Sequence, residues 1–207
     1  MDENTKTTAH YAALEAICGQ RRSVRAFAPR PVPQEAIERV LAIAATAPYA
    51  SGRKNWEIVV VADANLRDRM AKAVRERVEE LTRCVRDDFR ADFAVYSENF
   101  IAFASAPVIL VPTYRVAFSF PPMEASAEET ASLRQWERDN AVKSIAGVTT
   151  LILLAAEAQG LGACCMTGPL LAESKIAALI GSKPGRSLAA LIPVGFRKEE
   201  GCNANGY

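Results

Sequence analysis

Apolar and polar positions divide the chain into segments of two kinds. Between Gln34 and Ala47 the apolar residues Ile37, Val40, Leu41 and Ala44 recur at helical spacing; Pro33 suits the first turn and Pro48 ends the helix. Met70, Val74, Val78, Leu81, Val85 and Phe89 form one stripe at steps of three and four, on a long helix capped by Asp63 whose other faces carry mixed charges. Glu128–Gln159 is also helical, and its second half, Ile145–Ala156, is apolar all round, which places it in a core or against a second subunit. His10–Cys18, closed by Gly19, reads as a short helix, as do Ser97–Ser105 and Pro169–Ile180. Trp56–Ala62, rich in β-branched residues, and the runs Pro107–Pro112, Ala163–Thr167 and Ser187–Phe196 read as strands. Tyr114–Ser126, with Pro121-Pro122 and two phenylalanines, has no period and reads as an irregular excursion of the kind that passes over ligands. Helices separate the strands, with no repeat and no linker. The pattern therefore predicts a single α+β or α/β domain over residues 1–207.

Composition narrows the function classes. The 207 residues carry 25 basic and 24 acidic side chains, net +1, which argues against a nucleic-acid partner. The longest uncharged runs, Asn99–Tyr114, Ser144–Ala156 and Ala158–Ala172, are shorter than the roughly 18–20 apolar residues of a membrane span. Met1–Thr8 is polar, with acids at Asp2 and Glu3, unlike a secretion signal, so a cytoplasmic protein is expected. Five cysteines without C-x-x-C spacing speak against a disulfide framework or a thiolate metal site. Cys164-Cys165 reads as two small buried residues, with a vicinal redox pair as the alternative. A single histidine, His10, leaves little room for a His-dependent nucleophile or a metal centre, and no catalytic side chain is assigned.

No phosphate-binding glycine loop is present, and Gly160-x-Gly162 follows a helix and lacks a third glycine. Phosphate would have to be held by side chains. Arg21-Arg22-Ser23-Val24-Arg25 offers three guanidinium groups and a hydroxyl, and an extended backbone puts Arg21, Ser23 and Arg25 on one side. A solvated basic turn is the plain alternative.

R-R-S-V-R-x-F, then P-V-P-x-E-x-I, then A-x-x-A-P with Trp56 opening a valine-rich strand, resembles the flavin-dependent nitroreductase superfamily. Leu153–Gly162 is similar to that family's "LAAxxxGLG" helix end, and Ile192–Phe196 to its last strand. The resemblance implies an α+β fold with a mixed sheet flanked by helices, and a homodimer with FMN at two interface sites. It further implies NADH or NADPH as reductant, in a ping-pong reduction of a small nitroaromatic, quinone or other conjugated acceptor. Carried over, Arg21, Arg22, Ser23 and Arg25 hold the phosphate and ribityl chain. Pro48, Tyr49, Ala50 and Ser51 line the flavin, and Met166, Thr167 and Gly168 lie against the ring with backbone N–H groups near N5 and O4.

Two departures stand out. The family loop resembles P-S-x-x-N-x-Q-P-W, whereas this chain has Pro48-Tyr49-Ala50-Ser51-Gly52-Arg53-Lys54-Asn55-Trp56; Arg53 and Lys54 either attract an anionic substrate or are solvated. The family's late basic residue beside the phosphate is missing, and Arg197 or Lys198 is the stand-in. Met166-Thr167-Gly168-Pro169-Leu170 also resembles the flavin turn of iodotyrosine deiodinases, where a threonine hydroxyl near N5 favours one-electron steps. Reductive dehalogenation or dehydrogenation of a metabolite, a non-catalytic flavin protein and a flavin-free structural dimer are the competing expectations. Substrate choice is expected in Arg90–Phe103 and Tyr114–Ser126, with Tyr114, Phe118 and Phe120 as stacking candidates or plain packing.

Overall fold

The structure is a computed structural model that describes residues 3–48, 54–116 and 124–198. Its helices are α1 (Glu3–Gln20), α2 (Gln34–Ala44), α3 (Ala64–Thr82), α4 (Arg90–Glu98), α5 (Ala127–Ala158) and α6 (Glu173–Leu179). Its strands are β1 (Trp56–Val61), β2 (Val108–Tyr114), β3 (Gly162–Ala163), β4 (Ser187–Leu188) and β5 (Ile192–Gly195). They form one sheet in the order β1-β2-β5-β3, with β4 paired to the end of β2. All ladders are antiparallel, and the parallel component of this mixed sheet is a single bridge between Ser23 and Ala163.

β2 is buried along its whole length, as its unbroken apolar run requires of a strand covered on both faces. Val108, Leu110 and Tyr114 join a core with α2, α5 and Trp56. Ile109 and Val111 face the other way, into a core with Met70 and Val74 of α3 and Ile176 of α6. Two helical layers therefore enclose the sheet, and α5 supplies Ile145, Val148 and Ile152 to the first core. By length and composition α5 is apolar enough to cross a membrane, but here its buried face is packed on α2 and the sheet. It starts at a reciprocal cap: Ser126 Oγ accepts from Glu129 N while Glu129 Oε2 accepts from Ser126 N.

Several elements differ from the sequence expectation. α1 begins at Glu3 and runs through Gly19 instead of stopping there. Among residues 7–20 only Ile17 is even partly buried, so no apolar stripe marks this helix. Asp63 caps α3 as expected, accepting from Leu66 N at 3.0 Å, but α3 ends at Thr82 and does not reach Phe89. Beyond it the chain turns, and the Arg86–Asp88 and Arg90–Asp87 pairs hold a 3-10 turn at Asp87–Phe89. Asn99–Ser105 and Gly168–Ala172 are 3-10 turns leading out of α4 and into α6. The run Ser187–Phe196 is two short strands. Leu188 lies opposite Thr113 and Ile192 opposite Leu110, so one extra residue bulges between them. The bulge frees Leu191 to exchange both backbone hydrogen bonds with Met166, at 3.0 and 2.9 Å.

Candidate functional site

The arginine segment leaves α1 where Arg22 turns its guanidinium back onto the carbonyls of Gly19 (2.7 Å) and Arg21 (2.9 Å), capping the helix end with its own side chain. The chain then extends along the sheet. Ser23 bridges Ala163, and Val24 N–H donates to Ala163 O at 3.0 Å. Further on, Phe27 bridges Arg197, and Ala28 N–H donates to Phe196 O at 2.9 Å. Two glycines admit this segment. A β-carbon on Gly162 would lie 2.8 Å from Val24, and one on Gly195 would lie 3.0 Å from Phe27 and 2.7 Å from Pro107. Arg21 is half-buried and Arg25 exposed, and neither side chain has an ion pair or hydrogen bond among the described residues.

Ala163 is also the last residue of β3, and the turn that follows it carries the second group of candidates. Met166 is buried and its N–H is spent on Leu191. Thr167 is exposed, and its hydroxyl makes no capping bond to the turn that follows. Gly168 packs under the ring of Phe100, to which an added β-carbon would come within 2.4 Å. Tyr96 in turn stands edge-on to Phe100, centroids 5.0 Å apart. The segment expected to govern specificity thus touches the turn through Phe100, a residue that sequence reasoning did not single out.

Cys165 and Thr167 open onto a cavity of about 520 Å³. Its wall is apolar where α5 presents Val142, Ile145 and Leu153 opposite Leu170 and Leu188, and Tyr114 closes one side. Arg138 and Glu173 are its charged lining residues. Glu173 Oε1 accepts from Leu188 N at 2.7 Å. Cys164 is buried in the sheet core while Cys165 faces the cavity. Both cysteines were expected in the core; the structure buries Cys164 and leaves Cys165 exposed. Burial, with Cys164 adding, pushes the Cys165 thiol above its ordinary range.

Arg197 sits beside Phe27, but its guanidinium is engaged by Glu157, whose side chain is only 11% exposed. Glu157 was missed; the signal for it was an acid closing an apolar run, since such a carboxylate needs a cation. Lys198 donates its backbone N–H to Ala26 O. Pro48 stands exposed beyond α2, and no hydrogen bond among the described residues joins it to the arginine segment or the turn. Tyr49, Ala50, Ser51, Arg53, Phe118 and Phe120 lie outside the described residues. Lys54 stacks its ammonium 4.1 Å over the Trp56 ring. Among the described residues no cluster of three His, Cys, Asp or Glu could hold a metal ion.

A helix-covered α+β sheet whose edge carries a basic segment beside a largely apolar cavity presents a candidate small-molecule site. The nitroreductase family model matches residues 19–196, and the chain belongs to the nitroreductase family. An iodotyrosine deiodinase of Danio rerio is 26% identical over 178 residues, covering 85% of this chain; the chain spans 57% of that relative's length. Among solved structures, a BluB-like flavoprotein of Clostridium difficile 630 superposes with a TM-score of 0.79 at 22% identity, covering 94% of each chain. An iodotyrosine deiodinase bound to FMN and 3-iodo-L-tyrosine superposes with a TM-score of 0.67 at 20% identity, covering 94% of this chain and 96% of its own. At these identities the two structures establish the shared fold.

Proposed function

We propose that this chain is an FMN-dependent oxidoreductase that passes electrons from NADH or NADPH to a small conjugated acceptor such as a nitroaromatic or a quinone. The observation that carries this reading is the shared stretch Gly162–Gly168. One part of it holds the arginine segment through the Ser23–Ala163 bridge, and another walls the cavity through Cys165 and Thr167. A phosphate and a planar ring can be held side by side by such a stretch.

The residues fit the cofactor. Arg21 and Arg25 are without partners among the described residues, so their guanidinium groups are available to hold the phosphate, with the Ser23 hydroxyl between them. Arg22 and Arg197 contribute less, since each is already engaged. Thr167 and Gly168 would meet the ring edge, where a hydroxyl or N–H donor would orient the cofactor and stabilise negative charge. The apolar residues of α5 would give a planar ring a face to pack against. Bound FMN supplies acceptance of a hydride from nicotinamide and its onward transfer to the acceptor, so the protein needs no catalytic acid or base of its own. A homodimer belongs to this proposal: α1 leaves Tyr11 66% and Leu14 53% exposed, apolar surface that a second copy would cover.

Thr167 favours a second reading. Its exposed hydroxyl at the cavity, together with the likeness to iodotyrosine deiodinases, supports reductive dehalogenation of a haloaromatic. The two are separated by reducing the FMN-loaded chain anaerobically with NADH or NADPH, then adding a nitroaromatic, a quinone or 3-iodo-L-tyrosine. Flavin reoxidation by the first two supports the acceptor reductase; iodide release from the third supports the dehalogenase. Flavin that no nicotinamide reduces, but dithionite does, contradicts the reductase reading.

A further inference from the structure

The charges of the cavity are unbalanced. Glu173 is committed: it accepts Leu188 N–H at 2.7 Å and lies in the first turn of α6, where the helix dipole stabilises a carboxylate. Arg138 stands at the other wall on α5 and has no ion pair or hydrogen bond among the described residues. Its acidic neighbour Asp139 holds Gln135 at 2.8 Å instead. An apolar cavity of about 520 Å³ with one uncompensated guanidinium suits a flat apolar body that carries one negative charge.

We propose that the acceptor taken by this cavity is an aromatic or conjugated anion, a carboxylate or a comparable acid, and that Arg138 receives its charged group. The ring lies against Val142, Leu153 and Leu170, and the acid reaches the α5 side of the cavity mouth. The inference rests on the proposed function, with the flavin at the Thr167 end of the cavity and the acceptor at its α5 side, and adds the class of acceptor and the residue that selects it.

Calorimetric titration tests it with two probes of the same ring, 4-nitrobenzoate and its neutral methyl ester, on the FMN-loaded full chain. The anion is expected to bind about fivefold tighter than the ester, the worth of one charge pair at a partly exposed site. In Arg138→Gln that ratio is expected to fall close to one, and in Arg138→Lys to recover in part, because the charge returns without the planar fork. A ratio near one in the unaltered chain, a ratio unchanged by Arg138→Gln, or no binding of 4-nitrobenzoate would each overturn the inference. Calorimetry reads binding whether or not flavin is present, so a chain that prefers the anion but takes up no FMN would overturn the flavin reading and leave the anion site standing.

Discussion

The Val24 side chain occupies the space that a β-carbon on Gly162 would need, at 2.8 Å. This contact seats the arginine segment on the edge of the sheet. Gly162→Ala is expected to destabilise the chain by about 1–3 kcal/mol through overpacking. Val24→Ala in the same chain should restore part of the loss, because the two residues share one space. Urea unfolding of the two single variants and the double variant measures the coupling; strictly additive effects would show that the contact does not set the segment's position.

The arginines are not equivalent. Arg21→Ala is expected to weaken FMN binding by about 1.5–3 kcal/mol, the usual worth of a hydrogen bond to a charged group. Arg22→Ala should cost less in FMN affinity, because Arg22 is spent on the Gly19 and Arg21 carbonyls. Fluorescence titration with FMN ranks the two, and an Arg22 loss larger than that of Arg21 would reverse the assignment.

Glu57 joins β1 to the loop before β4 through Lys183 and Arg186, both at 2.9 Å. The Lys183 hydrogen bond, with the charges of Arg186 and Lys183, holds its carboxyl below the usual 4.5. A lowered carboxyl stabilises the fold above its unfolded value and loses that contribution as the pH falls through the folded value. Glu57→Gln should therefore lower Tm at pH 7, and the gap between variant and native chain should close as the pH drops below about 4.5. A gap that stays constant down to strong acid would remove the ion pairs as its cause.

Alkylation should distinguish the adjacent cysteines. Cys165 opens onto the cavity and Cys164 is 3% exposed, so iodoacetamide is expected to mark Cys165 and spare Cys164. Because burial holds the Cys165 thiol above its ordinary 9.0, its labelling rate should keep rising with pH beyond 9. Peptide mapping by mass spectrometry across pH 7–10 checks both points, and prior labelling of Cys164 would contradict its burial.

How much of this was legible in the sequence depended on where each segment is buried. β1, β2 and α2 announced themselves because each packs against the core of its own chain, so burial imprinted its period on the residues. α1 was read only over His10–Cys18 and not to its full length, since a helix with only Ile17 partly covered between residues 7 and 20 has no inner face to pattern. The bulge at 189–191 was hidden because an extra residue in an apolar run leaves the run apolar. Within the site, the motifs carried Arg21–Arg25 and Met166–Gly168, and the structure joins them through Ser23 and Ala163. The engagement of Arg197 by Glu157 and of Arg22 by its own helix end arises from side-chain reach, which spacing alone does not encode.

The central claim is that this chain holds a redox-active flavin between its arginine segment and the 165–168 turn. The most direct test is an absorbance spectrum of the protein after incubation with FMN and desalting, recorded again after anaerobic NADH or NADPH. Flavin bands that travel with the protein and bleach on addition of at least one nicotinamide are the predicted result. A colourless protein that releases all added FMN would contradict the account and reduce the family relationship to the fold.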